Sequence, residues 1–391
     1  MGKTISNFYI IIWLTYCVHW FTAGYWGWVD RLSNGLLLIA FLMSFVIIIY
    51  GYKRFGITKN LTKGYVPLLL MFVGYGLLHV AFGDRLYVGS GGKAINNASY
   101  TIGVLRTFLP IYAFYYLKKF KMINDSMLRK WFVVLIIFLV FLNSRVVFFR
   151  GTDEFTNNMG YNFVYLIPFV LLFRKKPVWM FVLLSVLLFL VVSCNKRGAI
   201  LIAFLLTLYI IGSMVNLRTR RGRNTLIIAS VFVVGLMLFT LTYLEKNEFL
   251  QNRIEMTLEG DDSGRSSIRR NIMNVMFGQS SFFRLLFGYG ADGTLAIGSN
   301  YAHNDWLEIF VNNGFFGLVL FIFFWKSLYV SWKKMRVSPY LSTLFGCVFI
   351  ICLASSLFSM FYSTIPFYLT MIWGYSFASL EKDRKLVAEQ V

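Results

Sequence analysis

The sequence predicts an all-α fold, a polytopic membrane bundle of about twelve helices, and three observations carry that prediction. Apolar runs long enough to cross a hydrocarbon layer recur along the whole chain. Charged residues make up only 14% of the 391 residues, while aromatics reach 19%. Lysines and arginines fall between the apolar runs in a one-sided pattern. With 58% hydrophobic residues and a mean hydropathy of +0.65, the chain holds more apolar surface than a soluble core of this size could bury. No period-two alternation with regular turn signals appears, which argues against an outer-membrane barrel.

A helix of roughly 17 to 25 apolar residues matches a layer ~30 Å thick. Such runs fall at residues 5–22, 33–51, 65–82, 99–117, 131–149, 161–173, 178–194, 199–215, 225–244, 313–331, 340–359 and 365–380. The sixth is short for a crossing. The first carries only Lys3 before it, and Ala23-Gly24 is followed by Tyr25-Trp26-Gly27-Trp28 rather than a cleavage site, so it reads as a retained helix. Pro67, Pro110, Pro168 and Pro366 lie in or beside spans, and the interior ones are expected to kink them. Residues 1–391 thus read as a single integral membrane domain.

Charge sets the orientation. An internal N-terminus puts Lys53, Arg54, Lys59 and Lys63 on the inner side, with the groups at 118–130, 174–176, 218–223, 333–336 and 382–385. The acids on that side are Asp125, Glu381, Asp383 and Glu389. This is the positive-inside pattern, and it predicts that both termini are cytoplasmic. The net charge of +21 is therefore a topology signal, and nucleic acid is not an expected partner. Cys17, Cys194, Cys347 and Cys352 fall in or at the ends of spans, as packing residues would, with no disulfide or zinc spacing.

The longest outside connection runs from Glu245 to Asn312 and is the expected carrier of part of an active site. Shorter outside loops span 83–98 and 150–160. No internal repeat or matched pair of broken helices is visible, which weighs against a secondary transporter.

Four segments could carry chemistry. Lys196 and Arg197 sit in a tight outside hairpin, against the positive-inside trend, where they either hold an anion or reach lipid phosphates. Arg265 follows Gly264 at the start of a helical pattern through Ile268, Ile272, Val275 and Met276, a place where exposed N–H groups favour phosphate. Arg269 and Arg270 follow it, and a solvated charged loop is the alternative for all three. Asp261 and Asp262 resemble a calcium-loop fragment, but the rest of that pattern is missing. Gly288, Gly290 and Gly293 satisfy the letters of a dinucleotide fingerprint without its βαβ unit, so they are read as backbone turning points against a ligand or another helix.

The fourth segment begins at His303 and runs through Asn304, Asp305, Trp306 and Glu308 into the apolar stretch Phe315 to Trp325. An imidazole there can exchange a proton or contact a phosphate, and capping a helix is the alternative. His19 and His79 lie within spans and are read as packing residues. Arg106 and Arg145 are cations within spans; they either line a path for a lipid-linked anion or pair with Asp30, Asp84 or Asp153.

Three pieces stand in a telling order: Asn195-Lys196-Arg197-Gly198-Ala199; Ser263-Gly264-Arg265 leading into a helix; and Gly288-Tyr289-Gly290 followed by His303-Asn304 to Gly314 and Gly317. In that order and topology the chain resembles the O-antigen ligase and O-antigen polymerase superfamily over most of its length. Lys196 departs from the usual pattern, which has serine or threonine before the arginine.

The resemblance implies a bacterial inner-membrane glycosyltransferase with its active site facing the periplasm, partly in the periplasmic loop 245–312. It implies a glycan on undecaprenyl pyrophosphate as donor and a lipid-linked acceptor, within membrane lipids and with room for a chain-length regulator as a further partner. Arg197, Arg265 and His303 are the implied catalytic set, and no metal or other cofactor is expected. Lys196, Arg269, Arg270, Arg106, Arg145 and Asn304 are expected substrate contacts, with Tyr289 and Tyr301 stacking on sugar rings. Cations suit a departing pyrophosphate because guanidinium groups hold phosphate oxygens bidentately. The favoured expectation is a polymerase that extends lipid-linked repeat units. A ligase acting on a lipid A core comes next, and a lipid-linked sugar transporter or flippase last.

Overall fold

In the computed structural model, residues 2–22, 27–56, 87–88, 94–95, 97–150, 159–215, 220–259, 264–290, 293–298, 300–358 and 367–388 are described. They form an all-α membrane bundle with one two-residue antiparallel ladder, β1 (Tyr87–Val88) against β2 (Ala94–Ile95). Every expected span falls on a helix except 65–82, which lies outside the described residues. The helices are α1 (Gly2–Thr22), α2 (Gly27–Phe55), α3 (Asn97–Lys119), α4 (Asp125–Arg150) and α5 (Met159–Leu166). They continue with α6 (Pro177–Val192), α7 (Arg197–Met214), α8 (Arg220–Glu245), α9 (Glu248–Leu258) and α10 (Arg265–Asn274). The last are α11 (Phe282–Phe287), α12 (Gly293–Ile297), α13 (Asp305–Met335), α14 (Pro339–Phe358) and α15 (Phe367–Ala388).

Among the described residues, four stretches are long and apolar enough to cross a membrane: Leu32–Phe55, Arg197–Met214, Asp305–Met335 and Pro339–Leu357. The short span at 161–173 has a local cause. Beyond Leu166 the chain tightens into a 3₁₀ turn, Ile167–Phe173, where Pro168 lacks the N–H that would continue the α-helical ladder.

Buried aromatics knit the bundle, with Trp13 edge-on to Tyr9 and Phe345 edge-on to Trp373. Helices α3 and α15 run in closest approach at Gly374, where a Cβ would lie 2.1 Å from the Ile111 carbonyl oxygen, so only glycine fits. Beyond that contact, at the end carrying the basic loops, Lys118 Nζ donates to the Tyr375 hydroxyl at 2.6 Å. Tyr375 in turn donates to Asp125, and the Tyr115 hydroxyl donates to Glu381 at 2.7 Å. These bonds tie α3, α4 and α15 together and keep the polar ends of the helices satisfied.

The stretch expected as a loop, Glu245 to Asn312, is largely helical among its described residues. It contains α9 to α12, and α13 begins at Asp305, ahead of the expected start at 313. The charges and asparagines of Asp305 to Asn313 precede the apolar run of the same helix. The structure accommodates them by burial: Asp305, Glu308, Asn312 and Asn313 are all essentially without exposed surface. A second small core of Ile272, Met276, Ala302, Phe310 and Val311 packs α10 onto the first turns of α13.

Candidate functional site

Helix α13 breaks at Gly314, whose φ of 62° and ψ of −161° are non-helical. The break leaves carbonyls short of intrahelical partners, and the segment after α11 supplies them. Tyr289 N–H donates to the Val311 carbonyl at 2.8 Å and Gly290 N–H to the Asn312 carbonyl at 2.9 Å. Gly293 N–H donates to Asn312 Oδ1 at 2.8 Å. Two glycines make this approach sterically feasible. A Cβ on Gly288 would lie 2.4 Å from the Asn312 carbonyl carbon, and one on Gly314 would lie 2.3 Å from that of Leu286. The run Gly288 to Gly293 is thus a backbone lock on a broken helix, the helix-contact alternative of the sequence reading.

The lock brings α12 beside the start of α13, where the buried Glu308 carboxylate joins three pieces. It accepts from Thr294 Oγ1 at 2.6 Å and from the backbone N–H of Ala302. Ala302 is the residue before His303, so Glu308 holds the backbone that presents the imidazole. Asn304 caps α13, its Oδ1 accepting from Leu307 N–H at 3.2 Å, while its Nδ2 donates to the Leu357 carbonyl at 3.1 Å. Asp305, fully buried, lies within electrostatic reach of Tyr165 and Cys352.

Lys196 and Arg265 lie within electrostatic reach of His303. Partial desolvation of a side chain that keeps exposed surface, and then the positive charges of Arg265 and Lys196, hold the His303 imidazole below its ordinary value of 6.5. Each of the three stands at the start of a helix: Lys196 at the N-cap of α7, Arg265 as the first residue of α10, and His303 beside the N-cap of α13. Each start is preceded or formed by a left-handed residue, Asn195 at φ 50°, Gly264 at φ 78° and His303 at φ 51°. Asn195 is buried and accepts from Asn247 Nδ2 at 3.2 Å, which supports a conformation unusual for a residue with a Cβ. Three helix starts therefore carry the cationic side chains and the imidazole that they influence.

The remaining expected contacts are distributed as follows. Arg197 opens α7, half-buried beside Lys196. At Gly198 a Cβ would lie 2.4 Å from the Tyr161 hydroxyl, so α5 packs directly under this turn. Arg269 and Arg270 are exposed on α10. The Tyr289 ring carries the Arg284 guanidinium 4.4 Å from its centre, and its hydroxyl bonds Ser280 Oγ at 2.7 Å. Tyr289 is thereby committed to local contacts on one face. Tyr301 is half-buried just before the Ala302 anchor.

Arg106 lies on α3 with its guanidinium 5.9 Å from the Tyr16 ring centre, and its Nε is buried with no hydrogen-bond partner among the described residues. The Arg145 side chain, those of His19 and Asp30, and residues His79, Asp84, Asp153, Asp261 and Asp262 lie outside the described residues.

Thr294, Glu308 and Asn312 are the residues that sequence reasoning passed over as site components. Their signal was a cluster of acids and amides in the first turns of a membrane helix, which has to be satisfied internally. Chemically, the assembly offers an imidazole kept neutral near pH 7 beside fixed positive charge. Such a pair can take a proton from a hydroxyl while an anion develops on a leaving group.

A search of curated proteins finds no match. Residues 179–322 match the family model described as O-antigen ligase, a stretch running from α6 to the middle of α13 and containing Lys196, Arg197, Arg265 and His303. That stretch is thus similar to the O-antigen ligase family.

Proposed function

We propose that the protein is an inner-membrane glycan polymerase, with both termini cytoplasmic, that transfers a growing chain from undecaprenyl pyrophosphate onto the next lipid-linked repeat unit. The observation that supports this reading best is that Lys196 and Arg265, each at a helix start, lie within electrostatic reach of His303 at a third. In the reaction, the bond from the anomeric carbon to the pyrophosphate oxygen breaks and its electron pair leaves with the pyrophosphate. Arg265, Arg197 and Lys196 offset that charge. His303, neutral at working pH, takes the proton of the attacking hydroxyl as the new glycosidic bond forms. Glu308 positions His303 through Ala302 and does not touch substrate.

A ligase acting on a lipid A core is the second reading, favoured by the description of the matching family. Both readings share the donor half of the chemistry, and the acceptor separates them. The test offers one lipid-linked donor to purified, reconstituted protein together with both acceptors. Longer lipid-linked glycan with release of undecaprenyl pyrophosphate supports the polymerase. Transfer to the lipid A core alone overturns it in favour of the ligase, and movement of donor across the membrane without a new glycosidic bond overturns both.

A further inference from the structure

Helix α10 changes character along its length. Ile268, Ile272 and Met276, spaced by four residues, pack toward α13. The side next to it, one position on, is exposed: it begins with Arg269, passes Met273 and ends at Phe277 in the π-helical turn Val275–Gln279, with Arg270 exposed beside it. After that turn come Phe282 and Phe283, which are 75% and 68% exposed. Side chains of this size are seldom left so open to water in adjacent pairs.

These rings form a patch that joins the bundle's apolar exterior. Phe283 lies 4.9 Å from Phe287, Phe287 lies 6.1 Å from Phe316, and Phe277 lies 6.5 Å from Phe315. Phe315 and Phe316 follow the Gly314 break and lead into exposed Val319, Ile322 and Phe323 on the stretch of α13 long and apolar enough to cross a membrane. The patch is therefore continuous with a surface that only lipid covers. Its other border is cationic, at Arg269 and Arg270, as an anionic headgroup layer requires.

We propose that the apolar edge of the helical hairpin, Met273, Phe277, Phe282, Phe283 and Phe287, dips into the acyl chains of the leaflet on the His303 side, with Arg269, Arg270 and the Tyr289-bound Arg284 at the level of the lipid phosphates. The polar-to-apolar gradient of α10 then runs from the headgroups into the leaflet. Arg265, one turn before Arg269, is held at or above the phosphate layer. The hairpin thus acts as a depth gauge for the cluster at Lys196, Arg265 and His303.

The test uses the full chain with Cys17→Ser, since Cys194, Cys347 and Cys352 are buried. An environment-sensitive fluorophore is attached through Phe283→Cys or Arg269→Cys, and the protein is reconstituted in vesicles of phosphatidylethanolamine and phosphatidylglycerol. The expected result is a blue-shifted emission at Phe283→Cys, with quenching by acyl-chain nitroxides and not by iodide. The Arg269→Cys label is expected to be reached by iodide. Iodide quenching at Phe283→Cys overturns the proposal. So does protection from both quenchers with cross-linking between chains, which would assign the patch to a second copy. A label-free check is protease access: wild type in vesicles is expected to be protected at this segment, while Phe282→Asp with Phe283→Asp loses protection. Equal cleavage of both also overturns the proposal.

Discussion

The Glu308 carboxylate accepts the backbone N–H of Ala302, the residue before His303, from a position without exposed surface. One buried side chain thereby sets the backbone that presents the imidazole, and Thr294 holds the other carboxylate oxygen at 2.6 Å. Glu308→Ala removes the acceptor from two buried donors, which should cost about 1–3 kcal/mol for each group left unsatisfied. The expected outcome is a lower unfolding temperature in detergent and a lower kcat. Glu308→Gln, which keeps one acceptor oxygen, should recover part of both. An unchanged kcat in Glu308→Ala would remove its positioning role.

The pH profile reports the charge state of His303. Its imidazole is held below 6.5 by partial desolvation and by Arg265 and Lys196, so it stays neutral at pH 7 and gains a proton only in more acid solution. A general base therefore loses activity as pH falls through that depressed value. Removing a neighbouring cation by Lys196→Met should raise the value and move the acid limb of kcat/KM to higher pH. An activity that rises on acidification would instead fit an imidazolium holding pyrophosphate.

Removing a group that offsets transition-state charge typically costs roughly 10²–10³ in kcat. Arg197→Ala and Arg265→Ala are expected to lose activity on that scale while the protein inserts at normal levels. For His303 the informative variant is His303→Asn, because asparagine tolerates the left-handed φ of 51° and isolates the loss of the base from backbone strain. Full elongation by any of the three would take that residue out of the mechanism.

The backbone lock makes Gly314 a sensitive position in α13. Gly314→Ala adds a Cβ about 2.3 Å from the Leu286 carbonyl carbon and forces φ of 62° on a residue that disfavours it. Strain of this kind costs on the order of 1–3 kcal/mol before the clash is counted. Chemical-denaturant unfolding in detergent should show a loss at or above that range, with activity falling in parallel.

Tyr289→Phe separates packing from sugar recognition. With Arg284 over the ring and Ser280 on the hydroxyl, the substitution should cost about 0.5–1.5 kcal/mol of stability and leave KM for the acceptor unchanged. A large rise in KM would restore the stacking role expected from sequence.

The membrane bundle was legible in the sequence because hydropathy acts locally: an apolar run that long has to become a helix wherever it lands, since lipid offers its backbone no other partner. Lys196, Arg197, Arg265 and His303 could be singled out for the same local reason, each being polar or cationic where the surrounding pattern is not. What lay beyond the sequence was non-local. The partners of the buried polar groups at the start of α13, Thr294 and Ala302 for Glu308 and Gly293 for Asn312, are encoded by neither period nor propensity. Likewise Gly288 read as a turning point against a ligand or another helix, and only the structure identified the partner as the backbone beside Gly314. Tertiary packing alone brought Lys196, at the start of α7, and Arg265, at the start of α10, within electrostatic reach of His303, because charges so far apart in sequence act on one imidazole only once the chain has folded.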